Sequence, residues 1–474
     1  MFASTTVAAI STPPGKGGVA VIRISGFDAL AIAKKTFRPR AALGFDAVVP
    51  RKQVYGDILS DGEQIDDGLL TYFPGPNSYT GEDIVEISCH GGVLVTKLVL
   101  EAVFSAGAMP AGRGEFTKRA FINGKLGLTE TEAITLLLEA ESEAQVKLSR
   151  ERSRTKLREA TEEIREALVS VLSSVFARID YPDEDLGDMT TDEILEAINS
   201  VRADVKALLS TYKMGRAVTL GVPTVICGKP NVGKSTLYNL LVGENAAIVT
   251  DIPGTTRDVL EKNISVGNVM LKVWDTAGIR GGDVDAVEAI GIERSVEKVR
   301  DAELVLALFD SSRKIDFEDY EIIKLISESV ATKIAILTKN DLNANQSIQN
   351  DMNLIDETEK ILLENGFDKV IRISANERGP EAKRSLSELI DSLYCDERLT
   401  VGDDAIVSSA RQFAALKRTD ELLSTAAAAI ESGLPEDAVS SDVELALGAV
   451  SELDGRAVSE EVVSDIFAKF CVGK

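Results

Sequence analysis

Residues Gly228 to Ser235 read Gly-Lys-Pro-Asn-Val-Gly-Lys-Ser, a G-x-x-x-x-G-K-S spacing directly behind the apolar run Val222–Cys227. Two glycines let a backbone wrap a phosphate with its N–H groups, a lysine (Lys234) reaches the outer phosphates and a hydroxyl (Ser235) faces Mg2+. The nucleotide contacts expected there are Asn231, Val232, Gly233, Lys234, Ser235 and Thr236. The loop alone fits ATP or GTP. A second apolar run, Met270–Trp274, ends in Asp275-Thr276-Ala277-Gly278, which would put Asp275 toward the metal. A third, Ile334–Leu337, ends in Thr338-Lys339-Asn340-Asp341. A carboxylate at Asp341 accepts from the ring N–H and the amino group of guanine, which adenine does not offer. Ile373 then leads into Ser374-Ala375-Asn376, where backbone would clip the guanine oxygen. Four elements in this order point to a guanine nucleotide.

These loops need strands behind them and helices in front. Residues 216–395 alternate the two, as a doubly wound α/β nucleotide domain does. Before it, residues 1–122 alternate short apolar runs such as Val19–Ile22 and Ile84–Ile87 with Gly- and Pro-rich breaks, which predicts a small α+β domain. Residues 123–215 turn to helical composition. Leu168, Val171, Leu172, Val175 and Ile179 keep one apolar stripe, and Thr190-Thr191-Asp192-Glu193 opens a helix carrying Ile194, Leu195, Ile198, Val201, Val205 and Leu208. Helical composition returns over 396–474. The fold class expected is therefore multidomain α/β, with the nucleotide domain inserted into a helical bundle whose halves flank it.

A chain of 474 residues has room for two or three such cores. With 52 Lys+Arg against 76 Asp+Glu, the net charge of −24 argues against broad electrostatic coating of nucleic acid, so any RNA contact must be local. Apolar stretches fall short of a membrane span and the N-terminus lacks a basic leader, so the expectation is a cytoplasmic protein with no membrane. Four scattered cysteines suit a reducing compartment.

Motifs outside the nucleotide domain make the chain resemble the bacterial tRNA modification GTPases of the MnmE (TrmE) family, end to end. They are Thr12-Pro13-Pro14-Gly15-Lys16-Gly17-Gly18-Val19, Arg23-Ile24-Ser25-Gly26, the segment Gly75–Asp83, His90-Gly91-Gly92, Gly114-Glu115-Phe116 with Arg119-Ala120-Phe121, and the ending Phe470-Cys471-Val472-Gly473-Lys474. The resemblance implies a Ras-like GTPase domain, an N-terminal domain that dimerises and binds a tetrahydrofolate derivative, and a homodimer that joins a FAD-binding flavoprotein, MnmG, in a heterotetramer. It implies an aminomethyl or carboxymethylaminomethyl modification at the 5-position of the wobble uridine of certain tRNAs. It carries folate contacts onto Arg23, Glu86, Lys125 and Lys474, and a proposed nucleophile or acid onto Cys471. Guanidinium and ammonium groups suit folate carboxylates, and Glu86 suits the N–H edge of a pterin. His90, the single histidine, reads equally as a hydrogen-bonded turn residue.

For hydrolysis, Ile279 stands where Ras-type GTPases place a water-orienting glutamine. By resemblance that role passes to Glu288. K+ takes the place of an arginine finger, held by Asn231, Thr255 and the backbone of Thr250 and Ile252 within Thr250-Asp251-Ile252-Pro253-Gly254-Thr255, while Thr256 joins Ser235 on Mg2+. Arg257 and Arg280 remain rival charge stabilisers. One departure stands out: the guanine-reading element of such GTPases usually begins with asparagine, and here it begins with Thr338, so a looser hold on the purine is expected without a change of base. The alternative is an Era-like ribosome-assembly GTPase without modification chemistry, which would carry a basic KH-like module after the nucleotide domain; residues after Ser374 are helical and acidic instead.

Overall fold

The computed structural model describes residues 5–180, 189–243, 261–274, 298–339, 348–373 and 379–456, together with 463, 466, 467, 470, 472 and 473. It divides into two compact units, Met1–Thr135 with Ser451–Lys474, and Leu136–Val450.

The first unit is built on a seven-stranded sheet of β1 (Val7–Ile10), β2 (Val19–Ser25), β3 (Phe37–Pro39), β4 (Gln53–Ser60), β5 (Glu63–Phe73), β6 (Ile84–His90) and β7 (Met109–Pro110), in the order β3-β4-β5-β6-β2-β1-β7. Period-two alternation decides what each face carries. Ala20, Ile22 and Ile24 of β2 and Ile87 and Cys89 of β6 turn into a core closed by helices α1 (Ala29–Thr36) and α2 (Val93–Ser105). Arg23 and Glu86 fall on the opposite face and are directly paired in register. Helix α3 (Glu115–Ile122) follows, starting from Gly114 at φ 61°.

The chain's last residues pack into this unit. Phe467 lies 6.2 Å from Phe121 and 5.5 Å from Phe470 between ring centroids. Val472 forms an antiparallel bridge with Arg113, and Ser11 Oγ donates to the Gly473 carbonyl at 2.9 Å. In space, Ser451–Lys474 group with the first unit, which also runs to Thr135. Phe467 and Phe470 are both buried, with Phe467 against Phe121 of α3.

Helix α4 (Leu128–Leu138) begins in the first unit, and the second unit holds helices α5 (Glu143–Leu148), α6 (Glu151–Asp180), α7 (Thr191–Ser210) and α8 (Tyr212–Thr219). Leu168, Val171, Leu172 and Val175 are buried, but Ile179 is 41% exposed, so the α6 stripe ends a turn early. Helix α7 starts on the capping box read from the sequence, with Thr190 and Glu193 each accepting from the other's backbone N–H.

Beyond it come β8 (Val222–Gly228), α9 (Lys234–Val242), β9 (Glu261–Val266), β10 (Val269–Trp274), β11 (Leu304–Asp310), α10 (Phe317–Ser327), β12 (Thr332–Thr338), α11 (Ile348–Glu364), β13 (Lys369–Arg372) and α12 (Gly379–Tyr394). Their six-stranded sheet runs β13-β12-β11-β8-β10-β9, parallel except at the β9 edge. Both faces are covered, which is why its strands read as near-continuous apolar runs. Ile226, Leu306, Leu308, Ile334 and Ile336 pack toward α9 and α12, while Val225, Val305, Phe309 and Leu337 pack toward α10 and α11. Helices α13 (Ala410–Glu431) and α14 (Glu436–Asp454) follow, and α13 packs on α7 with Arg202 Nε donating to Asp420 at 3.1 Å.

Candidate functional site

The phosphate loop joins β8, the third-from-edge strand, to the N-terminus of α9. It turns through three left-handed residues, Gly228 (φ 139°), Asn231 (φ 61°) and Gly233 (φ 101°). A side chain at Gly228 would strike the Leu308 carbonyl at 2.6 Å, so this position needs glycine for space as well as for φ. Asn231 is exposed at the loop's crest, in a conformation that asparagine tolerates better than most residues. Lys234 Nζ donates to the carbonyls of Gly228 and Lys229 at 2.7 Å each, so the loop folds around its own ammonium group. Burial holds that ammonium's pKa below the usual lysine value, with the Cys227 sulfur opposing the shift. A partly desolvated cation ringed by carbonyls gains strongly from an arriving phosphate. The Cys227 thiol beneath it is pushed up to about 12 by burial and is inert as a nucleophile.

Charges that no local pattern announced brace this loop. Lys229 Nζ sits 2.7 Å from both Asp316 and Glu318 at the start of α10, and Asp316 also caps that helix. The Lys229 ammonium holds the Asp316 carboxyl down at about 2. Arg313 pairs with the same Asp316 and with the buried Asp319. Just beyond β12, Lys339 Nζ pairs with Asp310 at 2.7 Å and its backbone is left-handed at φ 61°. Thr338 is buried at the end of β12, and its hydroxyl contacts the Val232 carbonyl at 2.7 Å and that of Phe309 at 3.2 Å. Thr338 thus ties the end of β12 to the loop between β8 and α9.

In the first unit Arg23 and Glu86, expected as separate ligand contacts, are an ion pair. Arg23 Nε and Nη2 both go to Glu86 Oε1, at 2.9 and 2.8 Å, leaving Oε2 outside the pair. The guanidinium lies 5.7 Å from the Tyr79 ring centroid and 5.5 Å from that of Phe116. Lys125 Nζ donates to the Pro76 carbonyl at 3.1 Å, so Arg23 and Lys125 border the same Gly75–Asp83 segment. Arg119, 2% exposed, fastens that segment from behind: it donates to both oxygens of Glu82, to Glu115 and to the Thr5 carbonyl. Ser25 Oγ adds a bond to Glu82 at 2.7 Å.

His90 is a hydrogen-bonded strand-end residue. Its Nδ1 lies 2.7 Å from Asp66, whose other oxygen accepts from the His90 backbone N–H, and the carboxylate raises the imidazole pKa. Asp66, Asp67 and His90 stand close enough to ligate one cation, yet Asp66 is committed to His90 and Asp67 accepts from the Tyr55 hydroxyl at 2.6 Å.

Asn231, Val232, Gly233, Lys234, Ser235 and Thr236 are thus brought beside Thr338 and Lys339, and Arg23 and Glu86 beside each other. Thr250, Asp251, Ile252, Pro253, Gly254, Thr255, Thr256, Arg257, Asp275, Thr276, Ala277, Gly278, Arg280, Glu288, Asn340, Asp341, Ser374, Ala375, Asn376, Cys471 and Lys474 lie outside the described residues.

Residues 6–125 match the family described as GTP-binding protein TrmE N-terminus, and residues 128–471 match the MnmE helical domain. Two relatives, each named tRNA modification GTPase MnmE, are alike along their full length. The protein of Clostridioides difficile is 38% identical over all of both chains, and that of Thermotoga maritima is 38% identical over 99% of this chain and 100% of its own. Among solved structures, an Aquifex aeolicus Era bound to GDP and aluminium fluoride covers 42% of this chain and 65% of its own at 27% identity, with a TM-score of 0.27. No helix among the described residues is long and apolar enough to cross a membrane.

Proposed function

The chain belongs to the MnmE family of tRNA modification GTPases and is a GTP-hydrolysing enzyme, and we propose that it couples K+-dependent GTP hydrolysis to modification of the wobble uridine of tRNA, acting as a homodimer with the flavoprotein MnmG and a tetrahydrofolate one-carbon donor. The observation that carries the GTPase half is the phosphate loop itself, with Lys234 desolvated between two carbonyls and strapped to β12 through Thr338.

In this reading Lys234 exchanges its loop carbonyls for the outer phosphates. The Ser235 hydroxyl, exposed in the first turn of α9, would hold Mg2+ together with Thr256, and Asp275 would serve the same ion. Asn231 presents a side-chain carbonyl at the crest of the loop, a hard oxygen of the kind an alkali cation takes, with Thr250, Ile252 and Thr255 completing the K+ set. Bound K+ and Mg2+ would supply positive charge against the charge that develops on the phosphates. Glu288 orients the attacking water. In the first unit the Arg23–Glu86 pair would offer a cation for a folate carboxylate and an oxygen outside the pair, Oε2, for pterin N–H groups, and Lys125 and Lys474 would add further positive charge. Cys471 would act as nucleophile or acid in the modification.

Hydrolysis should be several-fold faster in KCl than in matched NaCl, and Asn231→Ala should remove the difference. Equal wild-type rates in the two salts would sink the K+ mechanism. Wobble-uridine analysis of tRNA from cells lacking the protein tests the modification: an unchanged nucleoside profile would leave only the GTPase.

A further inference from the structure

We propose that the outer edge of the first unit's sheet is a docking strip for the phosphate backbone of tRNA. The proposal rests on the tRNA reading above and adds to it the surface that holds the substrate.

In a chain whose acids outnumber its bases 76 to 52, residues 34–52 carry the basic side chains Lys34, Lys35, Arg38, Arg40, Arg51 and Lys52 against a single acidic one, Asp46. All six cations are exposed. Strand β3 is the sheet's edge, and Arg38 and Arg40, two residues apart along it, stand on one face about 7 Å from each other. Arg38 Nη2 and Arg40 Nε both donate to Asp57, at 3.0 and 2.7 Å. One carboxylate, itself 11% exposed, thus fixes two guanidinium groups that stay 60% and 46% exposed. Fixed guanidinium forks suit phosphate oxygens. Arg40 also lies 4.8 Å from the centroid of the exposed Tyr55 ring, and a guanidinium against an aromatic ring is a platform on which an unstacked RNA base can rest. At one end of the strip Lys34 closes α1, its Nζ 5.5 Å from the Phe45 centroid; at the other Arg51 and Lys52 lead into β4, with Arg51 Nη2 on the Asn77 carbonyl at 2.8 Å. The rise from Arg51 to Asp57 is roughly 20 Å, so the cations form a line and not a point. None of Lys34, Lys35, Arg51 and Lys52 is paired with a carboxylate among the described residues. An edge strand is commonly guarded by a charge or a proline, but this row exceeds that need and makes a local positive field that the distant acids, screened beyond about 8 Å, do not cancel.

Strand register also says what the strip lies beside. Arg38 is opposite Asp57 and Asp57 opposite Asp67; on the same face of β5, Thr71 is opposite Glu86 and Glu86 opposite Arg23. Arg38 and Arg40 therefore share a sheet face with the Arg23–Glu86 pair, four strands and roughly 19 Å away. An RNA held along the edge would lie next to the site proposed for the one-carbon donor.

Binding of an unmodified tRNA transcript to the full-length protein, read by fluorescence anisotropy across a KCl series without nucleotide, tests the strip. Replacing Lys34, Arg51 and Lys52 together by alanine should lower the steepness of log K against log[KCl] by about 2–3, at roughly 0.7–0.9 for each lost phosphate contact. Removing three charges at Lys97, Lys360 and Lys417, exposed lysines on α2, α11 and α13, should leave the steepness unchanged. Lys34→Arg with Lys52→Arg should keep the wild-type slope. Equal slopes in the edge variant and the wild type overturn the proposal. Leu43 and Val49 are exposed in the same segment, so an edge variant that loses binding to phosphatidylglycerol vesicles while its tRNA slope stays put overturns it in favour of a lipid surface. Failure of the underlying reading looks different: the wild type would then bind no tRNA even at low salt.

Discussion

Replacing Gly473 by alanine should undock the chain's C-terminal tail and weaken folate binding while leaving GTP hydrolysis intact. Gly473 sits at φ 99°, where an L side chain is strained by about 1–2 kcal/mol. A Cβ there would also fall onto the Ile10 carbonyl and lie 2.9 Å from the Ile10 carbonyl carbon, in a strand held on both sides by β2 and β7. The strand does not yield, so the tail must move. Its departure gives up the Ser11–Gly473 hydrogen bond, a further 1 kcal/mol or so. The sum, roughly 2–3 kcal/mol, lowers the docking equilibrium constant about 30- to 150-fold at 1.4 kcal/mol per decade. Calorimetry with 5-formyltetrahydrofolate would report the lost affinity, and hydrogen exchange at Val472 would report the undocking. Gly62→Ala is the control: its φ is 87° but nothing lies within 4 Å of a Cβ, so it carries strain without displacing the tail. Folate affinity unchanged in Gly473→Ala, with Val472 deprotected, would refute the tail's part in the folate site. Unchanged exchange would refute the steric argument.

Glu288→Ala should slow single-turnover hydrolysis by about 10²–10³ with GTP affinity nearly unchanged, since a water-orienting carboxylate acts only in the transition state; an unaltered rate returns the role to Arg257 or Arg280. The single histidine gives an unambiguous NMR titration, and His90 should titrate above 6.5 because the Asp66 carboxylate favours its charged form. A raised folded pKa means the pair's contribution is fully present below 6.5 and lost as pH rises through the folded value. Asp66→Asn should bring the titration down toward 6.5, and an unmoved midpoint would show that the contact is not made in solution. Arg119→Leu strands Glu82 and Glu115 around an apolar side chain and should destabilise the first unit by about 3–5 kcal/mol; an unchanged melting transition would mean that Glu82 and Ser25 hold the Gly75–Asp83 segment without it.

What could be read from the chain was whatever the chain writes locally. The phosphate loop is a contiguous octapeptide between an apolar strand and a helix start, so β8, the loop and α9 follow from one stretch of sequence. The same holds for α7, whose capping box Thr190/Glu193 and apolar stripe both lie within it. Ile179 marks the limit of such reading: its spacing continues the α6 stripe, yet it is largely exposed, because periodicity says which face a residue shares and not how far the neighbouring helix extends. Pairings across distance left no trace. Nothing near Lys229 announces Asp316 and Glu318, and Arg23 and Glu86 looked like two independent ligands until strand register set them side by side. The tail is the same case at the largest separation, where only the glycine at 473 and the aromatics before it hint at a buried landing site on β1 and α3.

A chain of net charge −24 that must hold a nucleoside triphosphate has to beat its own field. It does so at short range. At physiological ionic strength charges more than about 8 Å apart are largely screened, so the distant carboxylates count for little against groups in contact with the phosphates. Those groups are the N–H donors of a loop bent through three left-handed residues and one lysine whose ammonium is kept partly out of water. The second basic residue of the loop, Lys229, is spent on Asp316 and Glu318. It therefore adds rigidity to the loop more than positive charge. That division suits the proposed switch: among the described residues of the loop, Lys229 is held by carboxylates while Lys234 is held only by backbone carbonyls, which it could trade for phosphate oxygens.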